Sequence, residues 1–285
     1  MATLDELSAL RRCALAVSVL YDIDLVPHAD GVTLPRAGLV TWTAIARAVS
    51  TVDVNSEDAR ARLGEWIWVR EQVAGTPAPL LEASARVVGI AVDAGLHPGA
   101  GWVREHVPGG ALDLGLGLLG LDPQSPETVV PVAESVLRDA GLYGDGWWPT
   151  ARERLDRMGE LAAQRRQRGD AAPIRPMGDA DVVTLLGTRA LRARLAAEQP
   201  DGLATAVVPL RNRGWAPATR VDPAFGPAAA AIADEAERGF SRPLLVTAEE
   251  LALVRDNGTA VQQVLRDSGE LGSDGSPWQR TVAPR

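Results

Sequence analysis

The chain has 285 residues, of which 46% are hydrophobic and 23% charged, and its formal net charge is −8. It contains no lysine, so all 29 basic residues are arginine, which excludes Schiff-base chemistry, a Walker-type phosphate loop and a catalytic lysine. The acidic balance argues against a nucleic-acid-binding protein, because phosphate contacts require a basic surface. The length can bury a sizeable core in one large or two smaller domains.

The composition also indicates a cellular location. An excess of Ala, Gly, Val and Arg is typical of a GC-rich bacterial genome, and a single cysteine, Cys13, favours a reducing compartment. The N-terminal segment carries two acidic residues before its first arginine, unlike a signal peptide. The longest apolar runs are shorter than the roughly 20 residues of a membrane-spanning helix. We therefore expect a soluble, cytoplasmic bacterial protein without a membrane segment.

The first 170 residues predict helices separated by loops rich in Pro and Gly. Thr3 and Glu6 form a capping box before an apolar stripe with helical spacing, and Cys13 beside that stripe should be a core residue. A third helix should begin at Asn55 or Ser56 and end before Gly75. The helices expected here, in chain order, cover about 4–20, 37–50, 56–74, 79–94, 131–140 and 149–168, with a loop over 21–36.

The second part of the chain changes character after DAAPIRPMGD, which has two prolines and a glycine in ten residues and predicts a connecting segment. Thr247 and Glu250 form a capping box directly after a short apolar run, which suggests a βα unit. Pro209 indicates an edge strand or a strand end. Strands are expected over 180–186, 203–210 and 242–246, and helices over about 188–198, 227–238 and 248–256.

These patterns predict an α+β fold in which a helical N-terminal region packs on a smaller α/β C-terminal half, with helices dominating overall. We expect four parts: a predominantly helical region over 1–169, a connecting segment over 170–179, a smaller α/β region over 180–267, and a flexible tail over 268–285. The tail follows from its turn-forming composition.

The stretch 115–120, GLGLLG, matches the G-x-G-x-x-G pattern of dinucleotide-binding loops. Such a loop requires a strand before its first glycine and a helix that opens within it. The preceding PGGALDL is short and Gly-rich, and three prolines in the following LDPQSPETVVPV prevent the helix. We interpret the stretch as structural, either a strand with one apolar face or a compact Leu-lined turn, and we expect no cofactor.

Candidate catalytic residues are few. The three histidines lack the spacing of a helical metal site, and no cysteine cluster accompanies them, so no metal site is predicted. His106 follows Glu105 between two glycine-rich stretches and is the one candidate for acid–base catalysis. A hydrogen-bonded surface histidine is the alternative. No serine lies in a G-x-S-x-G context, and whether the chain is an enzyme stays open.

The stretch 209–223, PLRNRGWAPATRVDP, predicts a ligand-binding loop at the end of a strand. Arg211 and Arg213 are two residues apart, so on an extended chain both side chains point the same way and could hold one anion. Gly214 would permit a close approach, and Trp215 could form a wall. The alternative is that the arginines pair with nearby acids. The candidate binding residues are Arg211, Asn212, Arg213, Gly214, Trp215 and Arg220.

Two hypotheses about function follow. The favoured one is a non-catalytic protein that binds another macromolecule, as an adaptor, regulator or assembly component with a protein partner. It rests on the scarcity of catalytic residues and on Trp278, because tryptophan is a favoured interface anchor and this one lies in an otherwise polar tail. The alternative is an enzyme or binding protein for a phosphate- or carboxylate-bearing small molecule that uses the Arg-rich loop.

Overall fold

The computed structural model describes residues 4–254 except 97, 100, 143–145, 169–172, 221–228 and 230–232. In that part of the chain it shows a mixed α/β fold with eight α-helices and eleven strands in three sheets, with 41% helix against 23% strand. The prediction of a helix-dominated fold with a helical N-terminal region is therefore wrong. The predicted four-part division stays a prediction.

The helices are α1 (Leu4–Leu20), α2 (Trp42–Ala48), α3 (Glu57–Gly75), α4 (Ala78–Ser84), α5 (Glu134–Asp139), α6 (Trp147–Gln167), α7 (Val182–Leu185) and α8 (Arg189–Ala196). The strands are β1 (Val26–Pro27), β2 (Gly31–Leu34), β3 (Gly38–Thr41), β4 (Ala85–Ala91), β5 (Val103–His106), β6 (Leu112–Leu119), β7 (Val129–Pro131), β8 (Ala204–Leu210), β9 (Arg213–Trp215), β10 (Leu244–Val246) and β11 (Leu251–Leu253). The sheets have the orders β1-β2-β3, β4-β6-β5 with β7 beside β6, and β11-β10-β8-β9.

The chain divides into two compact units. Unit 1 comprises Met1–Arg86, His97–Val103 and Gly115–Pro149, and unit 2 comprises Val87–Leu96, Arg104–Leu114 and Thr150–Arg285. None of the described helices combines the length and apolar character needed to cross a membrane.

Unit 1 begins with α1, as predicted, but an antiparallel sheet then stands where the sequence predicts a loop and the start of a helix. Val32 of β2 lies opposite Val40 of β3, and both are buried. Gly31 is required at this hairpin, because a Cβ there would meet the Val40 carbonyl oxygen at 2.0 Å. Helix α2 consequently begins only after Thr41, whose hydroxyl accepts a hydrogen bond from Ala44.

Helix α3 begins where the sequence predicts. The Ser56 hydroxyl accepts a hydrogen bond from the Ala59 amide at 3.1 Å, which satisfies one of the free donors at the helix N-terminus. Helices α1, α2 and α3 and the N-terminal sheet share one hydrophobic core. Its members include Leu10, Val17, Leu34, Ile45, Leu63 and Ile67.

Cys13 packs in this core at 5% exposure, as predicted, and its burial raises the pKa of the thiol above the ordinary value against an opposing effect of Arg60. Since the thiolate is the reactive form, we expect the native protein to resist iodoacetamide and the urea-unfolded chain to react, as mass spectrometry would measure. The folded protein keeps the thiol proton to a higher pH than the unfolded chain. The free energy of unfolding should therefore fall as the pH rises above about 8.5. Rapid labelling of the native protein would contradict the prediction that Cys13 resists iodoacetamide.

The sequence predicts one helix over 79–94, and this prediction is wrong because the chain changes from a helix to a strand at Ala85. Helix α4 ends at Ser84, and β4 is buried along most of its length. Continuous apolar runs such as RVVGIA fit a buried strand as well as a buried helix. Gly89 suits the strand, since its amide donates to the Thr184 hydroxyl at 2.9 Å and a Cβ would lie 2.8 Å from Thr184 Cα.

The strand interpretation of GLGLLG is confirmed. Gly115 and Gly117 lie in β6, which is the inner strand of its sheet, and Gly120 follows in a turn at φ +73°. The indole of Trp102 packs against Gly115 and donates from Nε1 to the Leu116 carbonyl at 2.8 Å. The first glycine thus makes room for a buried tryptophan.

In unit 2 the strands predicted over 203–210 and 242–246 are confirmed as β8 and β10, and the helix predicted over 188–198 is confirmed as α8. The strand predicted over 180–186 is wrong, because Asp181 caps helix α7 by accepting from the Thr184 amide at 2.7 Å. Pro209 lies next to the end of β8, where the pairing with β9 is irregular, a position that tolerates the missing N–H.

The predicted helix over 248–256 is wrong in its described residues, because β11 pairs antiparallel with β10. The Thr247 hydroxyl accepts from the Glu250 amide at 2.9 Å, and the Thr247 amide donates to the Glu250 carbonyl at 3.0 Å. The same threonine and glutamate spacing therefore closes a hairpin turn instead of capping a helix. Five of the twelve residues of the helix predicted over 227–238 lie outside the described residues, and among the rest Glu235–Glu237 form a 3-10 helix. All of the predicted tail over 268–285 lies outside the described residues.

Candidate functional site

His106 lies at the end of β5 and pairs with Asp113 of β6, with 2.6 Å between Nδ1 and Oδ1. The His106 side chain is 77% exposed and that of Asp113 is 25% exposed. The carboxylate orients the ring. A hydrogen-bonded surface histidine, the alternative from the sequence, describes this arrangement, and a catalytic role of His106 stays a prediction.

Arg211 is held inside unit 2 by hydrogen bonds to protein groups. Its Nε donates to Asp181 Oδ2 and its Nη2 to the Gly89 carbonyl, both at 2.8 Å. It lies with Asn212 in the turn between β8 and β9, where Leu210 pairs with Arg213. The two arginines therefore do not lie on one extended strand, which is the geometry that a shared anion requires. Asp181 already provides the carboxylate that pairs with Arg211.

The remaining candidate residues of this loop either contact other protein groups or are exposed to solvent. Gly214 is buried, its backbone pairs with Ile174 at 2.6 and 3.0 Å, and a Cβ would meet Val208 Cγ2 at 2.6 Å. Trp215 is half-buried opposite Val207 of β8. Three members of the loop are exposed: Asn212, Arg213 and Arg220. Anion binding here stays a prediction, and Trp278 lies outside the described residues.

Unit 1 contains a surface depression that the sequence does not reveal, which we name the Trp66 groove. It consists of two adjoining shallow cavities that share Ala48, Trp66, Gly99 and Ala133. Trp66 is half-buried on α3. Ala44 and Ala48 are one turn apart on α2, and their small side chains leave the indole accessible.

The Trp66 indole is fixed from behind. The Arg70 guanidinium carbon lies 4.7 Å from the ring centroid, a distance that gives a favourable cation–π contact. Arg70 is only 8% exposed, and its Nη1 lies 2.7 Å from Asp139 Oδ2. Because Arg70 engages both Trp66 and Asp139, two groups that line the groove are held in place by one buried side chain.

The groove is lined by charged residues of both signs. Asp139 is neutralised by Arg70, and Glu65 has an interaction of its own. Arg62 donates to the neutral Thr51 hydroxyl, and Arg47 is exposed in the last turn of α2. Within the described ranges, neither Arg47 nor Arg62 has a carboxylate partner. The groove therefore combines an apolar indole with two arginines, Arg47 and Arg62, that form no ion pair with a carboxylate in that part of the chain.

Sequence reasoning missed the groove because its walls come from four distant segments: α2, α3, residues 98–99 and the chain from 131 to 139. The helical pattern of α3 assigns Trp66 to the apolar face, and no local signal shows that this face is only half covered. Comparison with protein-family models, with curated proteins and with solved structures finds no match.

Proposed function

We propose that this chain is a non-catalytic cytoplasmic protein that binds a segment of a partner protein in the Trp66 groove. The observation that carries the proposal is a pair of arginines, Arg47 and Arg62, without carboxylate partners among the described residues, beside an accessible tryptophan. Tryptophan and arginine are the residues most enriched at energetically important interface positions. A shallow groove suits a polypeptide segment better than an enclosed small molecule.

The chemistry of the groove defines the partner segment. A bulky apolar side chain packs on Trp66, and acidic side chains beside it reach Arg47 and Arg62. Each exposed ion pair contributes only about 0.2–1 kcal/mol, so the apolar contact supplies most of the affinity and the charges select the partner. The rest of the chain carries a net negative charge, which makes this groove a distinct target for an acidic segment.

Selection from a random phage-displayed peptide library tests the proposal. We expect the enriched peptides to combine Asp or Glu with a neighbouring large apolar residue. Binding of a synthetic enriched peptide, followed by fluorescence anisotropy, should weaken about tenfold or more in the double variant Arg47→Glu/Arg62→Glu. Two attractions become repulsions there, and about 1.4 kcal/mol corresponds to tenfold.

Arg12→Glu is the matched control, because Arg12 is an exposed arginine of unit 1 on α1, away from the residues that line the groove. It makes the same change in net charge per substitution, so a long-range charge effect would appear in both variants. Thermal unfolding of each variant checks that the fold is intact. Enriched peptides without acidic residues, or equal binding by the double variant and the wild type, would overturn the proposal, as would the absence of any enriched peptide.

A further inference from the structure

Two arginines of unit 2 are equally buried but differ in how they are satisfied. Arg166 and Arg192 are each 5% exposed. Arg166 binds Glu198 through Nε and Nη2, both at 2.7 Å, and Nη2 also donates to the Ala216 carbonyl at 2.8 Å. This bidentate pair is what a buried structural arginine requires, since an unpaired buried charge is strongly unfavourable.

Among the residues that the structure describes, Arg192 has no such carboxylate partner. Its Nη1 donates to the Leu186 carbonyl at 2.8 Å, but its buried Nε has no acceptor in the described part of the chain. Burial, and secondly the positive charge of Arg152, lower the pKa of Arg192. The guanidinium is therefore short of negative charge and of one hydrogen-bond acceptor.

Arg152 of α6 is the neighbour of Arg192 and is poorly satisfied as well. Its Nη2 lies 3.3 Å from the Gly187 carbonyl and 3.5 Å from carboxylate oxygens of Glu105 and Asp156. Charge-assisted hydrogen bonds are ordinarily about 2.7–2.9 Å long. Its buried Nη1 has no acceptor among the described residues.

The two guanidinium groups converge on one turn of the chain. Arg192 donates to the carbonyl of Leu186, and Arg152 approaches the carbonyl of the next residue, Gly187. Each group keeps one buried donor without an acceptor among the described residues, so a carboxylate with its two oxygens matches the pair. The cluster is reached from solvent on the Arg152 side, where that side chain is 21% exposed and Glu105 and Asp156 are 38% and 49% exposed.

The surrounding acids restrict the kind of anion. Glu105 and Asp156 balance the charges of Arg152 and Arg192, and Glu249 pairs with Arg189 nearby. A phosphate dianion would leave the cluster with two excess negative charges, which is unfavourable near two carboxylates. A zwitterion leaves the net charge of the cluster at zero. The ammonium group of the zwitterion would contact Glu105 and Asp156, whose carboxylates lie 3.5 Å from Arg152, beyond good hydrogen-bond distance.

We propose that Arg152 and Arg192 bind the carboxylate of a small amino-acid-like zwitterion, whose ammonium group lies against Glu105 and Asp156. The carboxylate accepts from Arg192 Nε and Arg152 Nη1, the two buried donors of this cluster that have no acceptor in the described part of the chain. The site belongs to unit 2 and is independent of the Trp66 groove, so either proposal can fail without the other.

Isothermal titration calorimetry on the full chain tests the site with glycine, alanine, acetate and inorganic phosphate at equal ionic strength. We expect glycine or alanine to bind more tightly than acetate, and phosphate to bind most weakly. Arg152→Gln should raise the Kd for the amino acid about tenfold or more, the effect of losing a charge-assisted hydrogen bond. Arg152 is chosen for the substitution because it is less buried than Arg192. The buried guanidinium of Arg192 then stays in place.

Arg157→Gln is the control on the same helix, because Arg157 is 67% exposed and its carboxylate partner lies 3.7 Å away on Glu153. It should bind the amino acid as the wild type does. Failure of glycine and alanine to bind would overturn the proposal and would mean that water satisfies the two donors. Binding of phosphate or acetate as tight as that of the amino acids would overturn the zwitterion class. Unchanged binding by Arg152→Gln would overturn the assignment of the site.

Discussion

Replacement of Arg166 by alanine is expected to lower the free energy of unfolding by about 3–5 kcal/mol, the range for breaking a buried ion pair by removing one partner. Two donors that hold Glu198 and one that holds the Ala216 carbonyl would disappear together. Glu198 is 19% exposed, so its carboxylate stays largely desolvated. The nearest substitute cation, Arg194, lies 3.5 Å away and replaces only part of the interaction.

Urea unfolding followed by tryptophan fluorescence measures this loss. Arg157→Ala is the matched control on α6, because an exposed ion pair contributes at most about 1 kcal/mol. We expect Arg166→Ala to lower the free energy of unfolding several times more than Arg157→Ala does. A loss for Arg166→Ala as small as that for Arg157→Ala would mean that the contacts of Arg166 do not stabilise unit 2.

Gly115→Ala is expected to lower the free energy of unfolding by about 2–4 kcal/mol. A Cβ at this position would lie 2.4 Å from Cε2 of Trp102, far inside van der Waals contact. Trp102 is only 2% exposed, so the indole cannot move into solvent without leaving its hydrogen bond to Leu116. Overpacking costs about 1–3 kcal/mol, and a lost buried hydrogen bond adds about 1–3 kcal/mol.

Gly146→Ala is the matched control, because Gly146 lies in unit 1 and a Cβ there would meet no atom within 4 Å. The control should change stability by less than about 0.5 kcal/mol, as surface substitutions ordinarily do. The same urea experiment applies to both variants. Equal stability of the two would show that β6 and Trp102 do not pack as described.

The helices with strong local signals were predictable from sequence. Helix α3 has the Ser56 cap and acids in its first turn, and α1 has a long apolar stripe of helical period. Such features act within a few residues, so the local sequence is sufficient to determine the helix. Helices α6 and α8 follow the same logic, and all four occur close to their predicted limits.

The errors occur where local sequence fits two structures and distant contacts decide. The run at β4 is apolar enough for either a helix or a strand, and the close approach of Gly89 to Thr184 suits the strand. The Thr247 and Glu250 spacing caps a helix or closes a turn, and pairing of β11 with β10 selects the turn. Tertiary pairing of this kind overrides local propensity.

The two proposed sites could not be predicted for a related reason. Trp66 and Arg47 each follow an ordinary helical pattern, and their meeting depends on how α2, α3 and α5 pack. The unsatisfied donors of Arg152 and Arg192 are likewise visible only when every acceptor around them is known. In the Arg-rich loop the spacing of Arg211 and Arg213 by two residues predicts a shared anion, yet Arg211 donates to Asp181 and to the Gly89 carbonyl.

The most direct test of the Trp66 groove is the indole N–H resonance of Trp66 in a two-dimensional NMR spectrum, assigned with Trp66→Phe and followed while a selected acidic peptide is added. We predict that this resonance shifts in proportion to the bound fraction, whereas that of Trp102, which is 2% exposed in the same unit, stays in place. A peptide that binds the protein while the Trp66 resonance remains unchanged would contradict the proposal that this groove receives the partner.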